Sequence, residues 1–157
     1  MGRSGRRIQT FKQFVVHDDA CGMKVGTDAL LLGSWAGACK SSHEEPVSEV
    51  LDIGTGSGIL ALMLAQRFPT ARVHAVELEP DAALQASENV ERSPFRDRIT
   101  VHHRAFQGWE GSVDLAVCNP PFFHGHPKSQ DRKRNLARHD DTLPLSALFT
   151  SVKACLS

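Results

Sequence analysis

The sequence predicts an α/β fold, a Rossmann-like doubly wound sheet that is mostly parallel, with helices on both faces. Three observations predict it. Short apolar runs alternate with segments of helical length through residues 47–118, which is the pattern of βαβ units. The first apolar run ends directly at a cluster of glycines, as a strand does when it turns into a helix. Pro69 and Pro80 punctuate the helical segments where a helix has to stop or start.

The elements follow in order. Residues 28–35 (DALLLGSW) read as a short buried helix capped by Thr27 or Asp28. Residues 40–46 form a polar loop, and residues 47–53 then read as a buried strand. Residues 59–68 (ILALMLAQRF) are strong helix formers that Pro69 stops. Residues 71–77 give a second strand. Residues 80–92 give a helix with Pro80 in its first turn and Asp81 at the positive end of its dipole. Residues 99–103 and 113–118 are the third and fourth strands, and residues 145–156 one more helix. No strand follows that helix. A four-stranded sheet with an apolar open edge is expected either to continue beyond residue 157 or to pair with a second chain. Residues 1–157 are expected to form one domain: an N-terminal segment, residues 1–46, and a core, residues 47–157, that lacks its C-terminal strands.

Composition narrows the class. At 157 residues, 41% hydrophobic and 23% charged, the chain has the size and make-up of one soluble globular domain. No apolar run approaches the ~18 residues of a membrane span, and the basic start MGRSGRR leads into no apolar segment, so it is not a secretory signal. Cys21, Cys39, Cys118 and Cys155 are scattered without a C-x-x-C pair. That argues against a disulfide framework or a zinc ribbon and suits a reducing cytoplasm. The net charge of zero hides blocks of +3 (residues 1–40), −6 (41–118) and +3 (119–157). An anionic partner is therefore not excluded, but basic surface for it must come from the two ends, unless these are only solvated tails.

Two motifs carry chemistry. Asp52-Ile53-Gly54-Thr55-Gly56-Ser57-Gly58 lies between the first strand and its helix. Its glycines let the backbone approach a ligand, and the helix start offers free N–H groups. With Ile59 next, the spacing is not the dinucleotide G-x-G-x-x-G. Asp52 disfavours a pyrophosphate and suits a ligand with a cationic group. S-adenosylmethionine, with an ammonium and a sulfonium, meets that requirement. Glu77, nineteen residues beyond Gly58, ends the second strand, where a carboxylate can accept two hydrogen bonds from ribose hydroxyls.

The second motif, Asn119-Pro120-Pro121-Phe122-Phe123, follows the fourth strand. In a strand order 3-2-1-4 that strand lies beside the first, so both loops meet at one sheet edge, where open α/β sheets bind ligands. The prolines bring no N–H donor, so the segment presents carbonyls and the Asn119 amide oxygen. Such acceptors suit a planar amine or amide nitrogen. Accepting its two N–H groups, on Asn119 and the Pro120 carbonyl, favours the tetrahedral geometry in which its lone pair is free to attack. Phe122 or Phe123 would stack on the planar group, and an RNA base would have to turn out of its helix to arrive. Lys128, Arg132, Lys133, Arg134 and Arg138 form a basic loop just beyond. With Arg3, Arg6 and Arg7 it reads either as a solvated surface or as phosphate contacts flanking the base. Cys118, His124, His126 and His139 match no common zinc spacing, and the chemistry needs no metal, so none is expected.

At this point the chain resembles the S-adenosylmethionine-dependent methyltransferases of the N-P-P-aromatic class, and more narrowly the tRNA-Val adenine-N6-methyltransferase family. Three stretches carry the resemblance. The first runs from Phe11-Lys-Gln-Phe14 through Met23-Lys-Val-Gly-Thr-Asp28 to Leu32-Gly-Ser-Trp35. The second runs from Leu51 through the glycines to Ala75-Val-Glu-Leu-Glu79. The third is Cys118-Asn-Pro-Pro-Phe-Phe123 with Leu136-Ala-Arg-His139 and Leu143. The glycine loop and N-P-P-F are superfamily signals, whereas K-V-G-T-D is narrower. The resemblance implies a class I methyltransferase fold and cofactor binding by Gly54, Gly56, Gly58 and Glu77, with Lys24 and Thr27 closing over the methionine end. It implies catalysis by Asn119, Pro120, Pro121 and Phe122 on N6 of an adenine in tRNA, with His139 on the substrate side.

The chain departs from the family's pattern twice. Ala105 stands where the family has an acid contacting the cofactor's adenine amine, a loss of about 1.5–3 kcal/mol for one charge-assisted hydrogen bond. The family's sheet also continues past residue 157. Two rival readings stand beside this one: methyl transfer to a protein glutamine amide, which the same N-P-P-aromatic geometry serves, and a non-catalytic fragment or partner subunit.

Overall fold

The computed structural model describes residues 8–38, 46–120 and 145–156. Its elements are β1 (Ile8–Thr10), β2 (Val15–His17), α1 (Thr27–Trp35), β3 (Glu49–Ile53), α2 (Ile59–Arg67), β4 (Arg72–Glu77), α3 (Pro80–Glu91), a 3-10 turn (Arg96–Arg98), β5 (Ile99–His103), β6 (Leu115–Cys118) and α4 (Leu145–Cys155). Strands β3 to β6 form a parallel sheet in the order β5-β4-β3-β6. Counted from β3, this is the expected 3-2-1-4.

The central strands bury apolar side chains on both faces, as parallel sheets do, while Glu49 and Asp52 of β3 and Arg72, His74 and Glu77 of β4 are their polar positions. Side chains alternate between faces. Val50, Val73, Ala75, Ile99 and Val117 enter the core beneath α1, α2 and α3. Leu51, Ile53 and Val76 enter a smaller core with Phe106, Val113, Leu148 and Cys155. Helix α2 ends where Pro69 follows, and the Arg98 guanidinium closes its C-terminal end by donating to the carbonyls of Ala65, Phe68 and Ala71 at 2.7–3.0 Å.

Three details differ from the sequence reading. Residues 8–17 form an antiparallel hairpin, β1 on β2, where no strand was expected. Each strand has only three residues, too few for an alternating pattern to stand out. The hairpin is held by stacked Phe11 and Phe14 rings, 4.8 Å between centroids, and by Phe14 set edge-on to Phe95. Helix α1 is not buried: only Ala29 and Gly33 are, while Leu31 and Trp35 are 67% and 72% exposed. Its apolar run is continuous, but only one narrow stripe faces α2. Neither Thr27 nor Asp28 caps it; Gly26 holds the cap position without a side-chain hydrogen bond. Finally, β6 starts at Leu115 rather than 113, because Asp114 Oδ2 accepts the backbone N–H groups of Ser48 and Glu49 and Val113 bridges Leu156 in parallel instead.

The N-terminal segment is bound to α3 by two buried amides. Asn89, fully buried, accepts from the His17 N–H at 3.0 Å and donates to the carbonyls of His17 and Ser57 at 2.7 and 2.8 Å. Gln85 accepts from the Ala20 N–H at 2.7 Å and donates to Asp19 at 3.1 Å. One residue, Asn89, thus joins the hairpin, the glycine loop and α3.

Candidate active site

Strand register brings the two motifs together. Ile53 pairs with Val76 on one side and with Cys118 on the other. One residue further along, Gly54, Glu77 and Asn119 therefore stand at the same C-terminal edge of the sheet, where ligands bind in open α/β folds.

Gly54, Gly56 and Gly58 have φ of +71°, +57° and +82°, a region that costs other L-residues roughly 1–2 kcal/mol each. A Cβ on Gly54 or Gly56 would meet nothing within 4 Å. Conformation demands these glycines, and the space above them is open to a ligand. The turn is pinned by the Gly54 and Thr55 N–H groups donating to the Val76 carbonyl at 2.9 and 3.0 Å.

Glu77 is 4% exposed. Its Oε2 accepts the Gly56 N–H at 2.8 Å, and its Oε1 accepts those of Leu78 and Glu79 at 2.9 and 3.0 Å. Three of its roughly four acceptor places hold protein backbone. The remaining place is on Oε2, open to one ribose hydroxyl, whereas a vicinal diol reaching for both oxygens would have to displace the Leu78 or Glu79 N–H from Oε1.

Asp52 lies beneath the loop, wholly buried, with Oδ2 accepting the Thr55 hydroxyl. Oδ1 has no hydrogen-bond partner among the described residues. Burial pushes its carboxyl up to about 7, and the Glu77 charge adds to this against the pull of its hydrogen bonds. Burial and the Asp52 charge push the neighbouring Cys118 thiol up to about 12, so it stands as a neutral thiol.

Lys24 spends its ammonium on the 18–21 turn, donating to the carbonyls of Asp18, Asp19 and Cys21. Thr27 opens α1 on the surface. The next residue reaches the site: Asn119 Nδ2 donates to Asp28 Oδ2 at 3.1 Å. Sequence reasoning missed Asp28 as a site residue because its partner lies 91 positions away. It missed Asn89 too, although Gln85 and Asn89 recur at i, i+4 on the buried face of α3, a readable signal. Ala105 occupies the turn after β5, beside Arg104, whose Nη2 donates to the Gly108 carbonyl at 3.0 Å. Pro120 is half-buried. Pro121, Phe122, Phe123, Lys128, Arg132, Lys133, Arg134, Arg138 and His139 lie outside the described residues, as do His124 and His126. Among the described residues no group of three or more His, Cys, Asp or Glu side chains could hold a metal ion, and no helix is long and apolar enough to cross a membrane.

The family model for the methyltransferase small domain matches residues 39–141. The tRNA1(Val) (adenine(37)-N6)-methyltransferase of Porphyromonas gingivalis is 44% identical over 161 residues, covering 96% of this chain and 61% of the relative. The protein of that name from Aeromonas hydrophila is 50% identical over 150 residues, covering 94% and 61%. The chain thus spans about three-fifths of the length of these curated relatives. Among solved structures, Pyrococcus horikoshii TYW2 in complex with MeSAdo aligns with a TM-score of 0.57 at 19% identity, over 74% of this chain and 43% of that one. The plantazolicin methyltransferase BpumL in complex with SAH aligns at 0.56 and 15%, over 83% and 43%. At such identities these structures speak to the fold, which is that of class I methyltransferases.

Proposed function

Because the chain belongs to the methyltransferase small-domain family, we propose that it transfers a methyl group from S-adenosylmethionine to the exocyclic N6 of an adenine in tRNA. The observation that carries this reading is the register that sets Asn119 one residue beyond the Ile53–Cys118 pair, beside the open glycine loop. The names of the 41–50% identical relatives support tRNA and adenine N6 as the acceptor.

The residues present fit the cofactor. Open space over Gly54 and Gly56 admits it, Glu77 has an acceptor for a ribose hydroxyl, and the Asp52 carboxyl buried beneath the loop would be drawn into its ionised form by the approach of a cation. When bound, the cofactor supplies an electrophilic methyl carbon on a sulfonium. The chain's part is to prepare the nucleophile. The Asn119 Oδ1 and the Pro120 carbonyl accept the two N–H groups of the adenine amine, which draws the nitrogen out of conjugation and directs its lone pair at the methyl. The nitrogen would take the methyl carbon as that carbon's bond to the sulfonium sulfur breaks, which leaves S-adenosylhomocysteine, and would then give up one proton to water. Phe122 or Phe123 stacks on the flipped base. Lys128, Arg132, Lys133, Arg134, Arg138 and His139 hold the flanking RNA, while Lys24 and Thr27 close the methionine end. Residues 1–46 act as a cover over a core formed by residues 47–157, the edge of β6 that pairs with no strand among the described residues is a place for a further strand or a second chain, and the setting is cytoplasmic.

Asn119→Ala tests the reading. Methyl transfer to tRNA should fall by about 100-fold or more, while calorimetric binding of S-adenosylhomocysteine stays as in the unaltered chain. Retained transfer would overturn the assignment, and joint loss of both would mean that Asn119 holds the fold rather than the acceptor.

A further inference from the structure

We propose that Asp28 is a positioning residue that fixes which end of the Asn119 side-chain amide faces the acceptor nitrogen. The proposal rests on the methyl-transfer reading and extends it to a residue that neither motif contains.

A primary amide is nearly symmetric in shape, yet its two ends are chemically opposite: the oxygen accepts and the NH2 donates. If Asn119 turned by half a rotation about its last torsion, it would present two donors to an amine that itself offers two donors, and activation would fail. Something must therefore select the orientation. Asp28 Oδ2 stands 3.1 Å from Asn119 Nδ2, and an ionised carboxylate is an acceptor only. It can bind the NH2 end and no other, which leaves Oδ1 for the substrate. The bond also draws charge through the amide and strengthens Oδ1 as an acceptor.

Two further observations show that the surroundings favour this placement. Gly26 has φ −112° and ψ 169°, extended backbone that any residue adopts, so its conformation does not explain the glycine. A Cβ there would stand 2.4 Å from Asp28 Oδ1: the missing side chain is the space the carboxylate occupies. Asp28 also lies in the first turn of α1, whose dipole favours an anion. Among the described residues the one hydrogen bond its carboxylate makes is that to Asn119.

The test uses the full chain, tRNA as acceptor and S-adenosylhomocysteine as cofactor probe. In Asp28→Ala, kcat should fall about 10–100-fold, with KM for tRNA and cofactor affinity unchanged. A rescue separates positioning from scaffolding. Asn119→Asp sets two carboxylates against each other, and adding Asp28→Asn restores a donor–acceptor pair, so the double variant should be about tenfold or more faster than Asn119→Asp alone. A merely structural Asp28 would give no rescue. A readout that needs no turnover is the 15N–1H signal of the Asn119 side-chain amide, identified by its loss in Asn119→Ala. It should move in Asp28→Ala. An unmoved amide signal, or an unchanged kcat, overturns the proposal. If the unaltered chain transfers no methyl group, the functional reading fails, and the amide signal still decides the Asp28–Asn119 pairing.

Discussion

Asp52 is a carboxylate set where water does not reach it, directly before a loop of three left-handed glycines. Burial holds its pKa at about 7 in the folded chain, against ~3.9 for an unfolded aspartate. The folded state therefore keeps a proton that the unfolded state has lost, and stability contributed by Asp52 falls as pH rises from about 4 to about 7. In Asp52→Asn that slope should vanish. The variant should melt higher than the unaltered chain at pH 8, and the gap should close by pH 4; a gap of constant size across that range would contradict the buried-charge account. The choice of Asp before the glycines was legible as a preference for a cationic ligand. That the same oxygen lies beneath the loop, unpartnered, was not, because burial is set by strands distant in sequence. Asn119 was legible from Asn-Pro-Pro, whereas Asp28 stood out only as a helix cap and as the end of K-V-G-T-D; its pairing with a residue 91 positions away leaves no trace in local pattern.

The elements divide in the same way. Strands β3 to β5 and helices α2 and α3 begin and end within two residues of where apolar runs, Pro69 and Pro80 place them, since each carries its own boundary signal. The hairpin and the exposure of α1 were hidden, because both depend on what packs against them. Asn89 is the joint that fixes the hairpin and the glycine loop to α3. Asn89→Ala would leave an N–H and two carbonyls without a partner in the interior. Urea melts should show a loss of about 2–4 kcal/mol, together with weaker S-adenosylhomocysteine binding, because the Ser57 carbonyl lies in the loop itself. A loss below about 0.5 kcal/mol would mean that Phe11, Phe14 and the Gln85 amide hold the hairpin without Asn89.

For the whole molecule, neutrality conceals a charge order that suits an RNA substrate: an acidic block in the middle of the sequence and an excess of Lys and Arg in the blocks at both ends. Residues 121–144, which hold most of that second basic block, directly follow Asn119 and Pro120. The sheet order 3-2-1-4 was legible because alternating strands and helices allow few right-handed parallel arrangements. The central claim is that one sheet edge joins a cofactor loop to an amine-accepting asparagine and so methylates adenine N6 in tRNA. The most direct test incubates the chain with S-adenosylmethionine labelled in its methyl group and an unmodified tRNA-Val transcript, then digests the RNA to nucleosides. The account predicts label in N6-methyladenosine, absent with Asn119→Ala. Label in another nucleoside, or none from a chain that binds S-adenosylhomocysteine, would contradict it.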